Sequence, residues 1–148
     1  MKYEEILTKI APCGLDCSRC ISFGEGEIKK NAGELLKHLG NFASYAERFS
    51  NFMPVFKGYP QFRELLTVFS KSACKGCRSG ECKYPNCGVI KCYKQKGVDF
   101  CFQCDEFPCD KTNLDPHLHA RWLQMNQRMK EIGVEAFYGE SRNKLRYQ

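Results

Sequence analysis

The sequence predicts an α-rich small domain, with about three main helices packed against an irregular, cysteine-rich zinc-knuckle module and little or no sheet. Three observations carry this expectation. Eleven cysteines occur in 148 residues, eight of them between Cys74 and Cys109. Outside that stretch, apolar residues recur at helical spacings of three and four. Inside it, the aliphatic residues are few (Val89, Ile90 and Val98). Such a segment cannot bury enough apolar surface to offset its own chain entropy.

The elements follow in order. Residues 1–12 suit a short helix or extended arm, and Pro12 disfavours helix at Ala11. Residues 27–50 read as one long helix. Ile28, Ala32, Leu35, Leu36, Leu39, Phe42, Ala43, Ala46 and Phe49 form its apolar face. Gly33 and Gly40 each weaken it by about 1 kcal/mol relative to Ala, making Gly40-Asn41 its weak point. His38 on this helix reads as a solvated residue. Residues 51–59 form a connector whose aromatics (Phe52, Phe56, Tyr59) face the core. Pro60 suits the first turn of a second helix, with Phe62, Leu65, Leu66 and Phe69 on one side up to Ser70. Gly76, Gly80, Pro85, Gly88 and Gly97 mark turns through the cysteine-rich stretch. A third helix starts at Asp115-Pro116, an N-cap followed by proline at the first helical position. Leu118, Trp122, Met125, Met129 and Ile132 give it a core-facing stripe, and Gly133 ends it. A short further element covers 134–138, and the tail from Ser141 to Gln148 is basic and polar. The expected organisation is a single domain over 1–148. Its helical part is 21–73 and 115–138, and its metal module is 11–20 plus 74–110.

No run approaches the ~20 apolar residues of a membrane span, and residues 1–10 do not resemble a signal peptide. A cytoplasmic protein is expected, with no membrane association. In a reducing compartment clustered cysteines argue for metal rather than disulfides, and an odd count cannot pair fully. The formal charge of +6 counts each cysteine as neutral. A zinc site with four thiolates carries a net −2, so two such sites would bring the charge to +2. The basic excess lies largely among the cysteines. Residues 71–96 hold Lys71, Lys75, Arg78, Lys83, Lys91, Lys94 and Lys96 against Glu81 alone. Those cations read first as a balance for thiolate charge and second as a nucleic-acid patch.

The spacings are those of metal ligands: Cys13-x3-Cys17-x2-Cys20, Cys74-x2-Cys77-x4-Cys82-x4-Cys87-x4-Cys92, and Cys101-x2-Cys104-x4-Cys109. In a CxxC turn two thiolates converge on one ion, and backbone N–H groups point at the sulfurs. Four thiolates make a closed structural zinc site. The simplest local grouping is Cys74, Cys77, Cys82 and Cys87 in one site and Cys92, Cys101, Cys104 and Cys109 in another. Cys13, Cys17 and Cys20 then form an incomplete set, its fourth ligand being Asp16, a histidine, water or a borrowed cysteine. Groupings that interleave distant pairs, such as Cys17/Cys20 with Cys101/Cys104, compete. Cys82 sits in the most flexible spacing and is the first ligand to drop. Two to three zinc ions are expected.

An iron–sulfur cluster is the alternative cofactor, since it too takes cysteine ligands. The Cys13-x3-Cys17-x2-Cys20 spacing equals that of radical S-adenosylmethionine enzymes. However, Arg19 stands where those enzymes carry an aromatic, and the chain is too short for their barrel. No catalytic or nucleotide-binding constellation stands out. His117 and His119 near Asp115 read as surface residues, and there is no phosphate-cradling glycine loop.

Several of these motifs occur together elsewhere. Ala11-Pro12-Cys13-Gly14-Leu15-Asp16-Cys17-Ser18-Arg19-Cys20 resembles the opening motif of a cysteine-rich bacterial and archaeal family, domain of unknown function thirty-seven ninety-five. Cys74-Lys75-Gly76-Cys77-Arg78 is similar to its central knuckle. Val89-Ile90-Lys91-Cys92, Lys96-Gly97-Val98 and the run from Phe100 to Cys109 are similar to its closing motif. The resemblance spans about Cys13 to Pro116 and extends to the Arg121–Tyr138 helix. It implies metal binding and no particular activity. The expected function is a zinc-binding protein whose metals are mainly structural and which presents a surface to a protein partner. The alternatives are an iron–sulfur redox or electron-transfer protein and a zinc-ribbon-like nucleic-acid binder.

Overall fold

In the computed structural model, which describes residues 1–80 and 82–147, the chain is helix-rich with almost no strand. Glu81 and Gln148, named above for the basic stretch and the tail, lie outside the described residues. Among those described are seven α-helices rather than about three: α1 (Tyr3–Leu7), α2 (Glu27–Leu39), α3 (Ala43–Ser50), α4 (Tyr59–Ser70), α5 (Val89–Lys96), α6 (Pro116–Ile132) and α7 (Val134–Arg142). Short 3-10 turns at Cys17–Arg19, Cys77–Ser79 and Cys101–Gln103 carry cysteines. Ile10 and Asp16 form an isolated antiparallel bridge.

The extra helices have local causes. The long helix expected over 27–50 breaks where Gly40 takes a positive φ of 49°, so α2 and α3 are separate. Residues 89–96, expected to be irregular, form α5. Gly88 donates its N–H to the Thr112 carbonyl at 2.9 Å, which anchors the start of the helix. Gly97, left-handed at φ 64°, closes its end. The third expected helix appears as drawn. Asp115 accepts from the Leu118 N–H at 3.0 Å, Pro116 occupies the first turn, and Gly133 ends α6. Gly133 also starts α7, which runs past the expected 134–138 to Arg142.

The backbone forms two compact units. One joins Met1–Cys20 with Cys74–Gln148, and the other is Ile21–Ala73. In the second unit α2 packs on α4. Ala32, Ala46, Tyr59 and Leu66 are buried there, and Phe42, Phe49, Phe56 and Tyr59 form an edge-and-tilted aromatic cluster. Its two ends meet: the Ser72 hydroxyl donates to the Ile21 carbonyl at 2.9 Å.

The cysteine-bearing unit has two buried clusters. Ile6, Ile10, Phe100, Met129, Val134, Phe137 and Tyr138 tie α1, α6 and α7 together. Ala11, Cys13, Val89 and Trp122 form a second cluster, against which Cys17, Cys77, Cys87, Cys101 and Cys109 pack. The cysteine-rich segments are thus not self-supporting loops; they are built onto one side of α6.

Candidate metal centre

Three residues that are not cysteines hold the cysteine segments in register. Asn126 on α6 is fully buried. Its Oδ1 accepts from the Phe102 N–H at 3.0 Å, and its Nδ2 donates to the Cys13 carbonyl at 3.0 Å and the Trp122 carbonyl at 2.9 Å. One amide therefore clamps the first cysteine loop and the turn after Cys101 to the same helix. Gly14, at φ 92°, permits that contact, since a Cβ there would stand 2.9 Å from Met125 Cβ. Arg78 donates to the Ile10 carbonyl at 3.0 Å and the Asp99 carbonyl at 2.8 Å while lying over the Phe100 and Tyr93 rings. None of the three carries a sequence signal as strong as a cysteine. Gly14, set between Cys13 and Leu15, is the one a close-approach argument would have found.

The first sulfur group joins distant segments. Cys17 and Cys77, separated by sixty positions, have side chains near enough to perturb one another. Cys77 likewise neighbours Cys82, and Cys82 neighbours Cys87. Cys13, buried at their edge, lies close enough to Cys17, Cys82 and Cys101 to feel their charge. The pattern along the row alternates. The Cys77 and Cys87 side chains draw the Cys82 thiol down, and Cys77 draws Cys17 down. Cys77 and Cys87 are in turn held up by these neighbours and by burial. Burial pushes Cys13 up to about 12. The incomplete first set thus acquires a cysteine neighbour from the central run. Asp16, one of its candidate ligands, is occupied otherwise: it accepts from Ser18 at 2.6 Å and from Arg19 at 2.7 Å.

A recurrent backbone detail accompanies these sulfurs. The Gly76 N–H donates to Cys74 Sγ at 3.4 Å, and the backbone N–H groups of Leu15, Tyr84 and Val89, each two residues on, act to lower the thiols of Cys13, Cys82 and Cys87. An N–H aimed at sulfur favours the thiolate, the form that ligates metal. Cys20 ends its 3-10 turn and Cys74 begins the return segment, one on each side of Ile21–Ala73.

The second sulfur group is a cavity. Cys92, Cys101, Cys104 and Cys109 line an apolar void of about 20 Å³, closed by Phe107 and Trp122. Phe107 meets Trp122 edge-on at 5.1 Å between ring centroids, and His119 lies against the other part of the indole, its Nε2 3.4 Å from the Cys109 carbonyl. The buried indole Nε1–H reaches no oxygen or nitrogen acceptor. It faces Cys101 instead, partly opposing the burial that lifts that thiol to about 11. A thiolate at Cys101 is the acceptor that would satisfy it. Among the described residues, no three histidine, cysteine, aspartate or glutamate side chains are drawn together as a metal-coordinating group. The sulfurs stand in a row of neighbours and around a small void.

The basic stretch is partly consumed by structure. Arg78 is the clamp above, and Lys96 pairs with Glu106 at 2.6 Å, as does Lys111. His117 lies exposed in a separate cleft on the α6–α7 side.

A family model described as Protein of unknown function (DUF3795) matches residues 9–114. The chain belongs to this family. The match covers every cysteine and ends just before α6, so Asn126 and Trp122, which organise the sulfurs, lie beyond it. No curated protein and no solved structure matches the chain. Among the described residues, no helix is long and apolar enough to cross a membrane.

Proposed function

We propose that this DUF3795 protein binds zinc through its clustered thiolates, that the ions act as structural ties, and that the ordered module serves a protein partner. The observation that carries the reading is the void of about 20 Å³ walled by Cys92, Cys101, Cys104 and Cys109. Such a space admits one water-sized body. Four cysteines among its lining residues suit zinc, which favours tetrahedral thiolate sets. A water molecule would find few partners in so apolar a space.

The row Cys17, Cys77, Cys82 and Cys87, with Cys13 beside it, supplies a second donor set. Binding would release the thiol protons. The chain's own contribution is to hold the segments in place through Asn126, Gly14 and Arg78, to aim N–H groups at sulfur, and to exclude water with Phe107 and Trp122. The metal supplies the attraction that converts neighbours into ligands.

Elemental analysis of anaerobically purified protein tests the reading. The expected result is colourless protein with about two zinc ions per chain, at four thiolates per ion, and with proton release on zinc addition to chelated protein. A brown preparation with visible charge-transfer bands replaces zinc by an iron–sulfur cluster. Protein without metal that neither takes up zinc nor releases protons ends the metal reading altogether.

A further inference from the structure

We propose that the cleft between the Gly14–Asp16 loop, α6 and the segment after α7 binds a small organic phosphate. The cleft encloses about 730 Å³, within the range of small-molecule sites and too confined for a folded partner. Its floor is apolar, made by Leu15, Met125 and Phe137. Its walls carry five cations (Arg19, Arg121, Arg128, Lys144 and Arg146) against two carboxylates, Asp16 and Glu140.

The carboxylates are already matched. Arg19 commits each of its three guanidinium nitrogens, to Asp16 and to the Ser141 and Lys144 carbonyls. Arg128 forks onto Glu140 at 2.6 and 3.1 Å. Arg121, Lys144 and Arg146 remain. Among the described residues, none of the three has a carboxylate within ion-pair distance. Arg146 is aimed by its Nε, which donates to the Asp16 carbonyl at 2.9 Å. Arg121 contributes one long contact of 3.5 Å to the Arg146 carbonyl, so most of its fork is uncommitted.

Three cations without a carboxylate ion pair around one concavity exceed what a single carboxylate neutralises and suit a dianionic phosphate. Guanidinium forks match phosphate oxygens two at a time. The apolar floor selects an ester with a flat or aliphatic body over the inorganic ion. No cysteine lines the cleft, although Arg146 is near enough to Cys17 to draw its thiol down; the proposal does not rest on the metal reading.

The test is a titration of the full-length protein, as purified, followed by amide ¹H–¹⁵N spectra at low salt. The probe is phenyl phosphate, dianionic above a second pKa of about 6, with inorganic phosphate and benzoate as comparators. Phenyl phosphate is expected to shift amides of 14–16, 121–125 and 141–146, with a dissociation constant of about 1 mM or tighter. Both comparators are expected to bind more weakly. Arg121→Glu with Lys144→Glu should weaken binding at least about tenfold, and the exposed Lys144→Gln should weaken it with the amide spectrum otherwise preserved. Absence of shifts at those amides overturns the proposal. So does unchanged affinity in Lys144→Gln and the double variant. Inorganic phosphate binding as tightly as the phenyl ester overturns the assignment of an organic ligand.

Discussion

Asn126 offers the sharpest test of how α6 organises the cysteines. Truncation by Asn126→Ala strands two main-chain groups, the Phe102 N–H and the Cys13 carbonyl, which the side chain meets at 3.0 Å each. Each stranded group costs about 1–3 kcal/mol where water cannot replace the partner. Cys13 lies in the buried cluster, whereas Phe102 is half-buried. A total of about 2–4 kcal/mol follows, a large share of the 5–15 kcal/mol that typically separates folded from unfolded chains. With a urea slope of about 2 kcal/mol per molar, the midpoint should fall by about 1–2 M. Asn126→Asp provides the discriminating comparison. It is nearly isosteric, but it replaces the donor facing the Cys13 and Trp122 carbonyls with a third oxygen. It should therefore destabilise more than alanine, although it creates no cavity. Urea denaturation of both variants, followed by far-ultraviolet circular dichroism with metal content held equal, checks the order. An aspartate variant milder than the alanine variant would refute the clamp, because the amide nitrogen would then not be facing two carbonyls.

Four further outcomes follow from the geometry. Gly88→Ala would put a Cβ 2.1 Å from the Lys111 carbonyl, so it should dislodge the start of α5 and yield poorly soluble protein; a well-dispersed amide spectrum would contradict this. Arg78→Lys should cost about 1.5–3 kcal/mol in urea titration, since one ammonium cannot span the Ile10 and Asp99 carbonyls as the fork does. Trp122→Phe removes the stranded indole N–H while keeping an aromatic lid, so the chelated protein should lose no stability and zinc affinity should fall; equal affinity would mean that the N–H does not favour a thiolate at Cys101. The Asp115 carboxyl is held below its ordinary value, chiefly by the Leu118 N–H. A depressed folded value means that its contribution is present above the unfolded pKa of about 3.9 and lost as pH falls through the folded one. Asp115→Asn should therefore flatten the acid limb of thermal stability below about pH 4, and an unaltered limb would argue against the cap.

What the sequence revealed depended on how local the cause was. The start and stop of α6 were legible because Asp115, Pro116 and Gly133 act within one turn of the helix. The weak point at Gly40 was legible for the same reason, although the sequence could not decide between a bend and a break. α5 was missed because Val89 and Ile90 are its only aliphatics and its anchor is the Thr112 carbonyl, distant in sequence. Gly97 as a left-handed helix end was the available clue. The cysteines declared themselves as a group, but not their neighbours. Cys92, Cys101, Cys104 and Cys109 were expected together and line one void. Cys17 was expected with Cys13 and Cys20 and a fourth ligand that could be borrowed; the side chain with the largest effect on its thiol is Cys77, from the central run. Spacing records only which residues a turn can bring together, while that pairing is fixed by everything folded between. Likewise Arg78 counted as part of a basic patch until its carbonyl and ring partners showed it to be interior scaffolding.

The meeting of Ser72 with Ile21 has a kinetic consequence. A segment of roughly fifty residues returns close to its starting point, and closing an unstructured loop of that length costs about 3.5 kcal/mol. When Ile21–Ala73 folds by itself, it discharges that entropy before Cys17 and Cys77 must find each other. The segment is thus a pre-tied knot in the string, and its interior can lengthen, shorten or change character without altering the distance the sulfurs must cross. A short turn joining Cys20 to Cys74 would be its natural replacement.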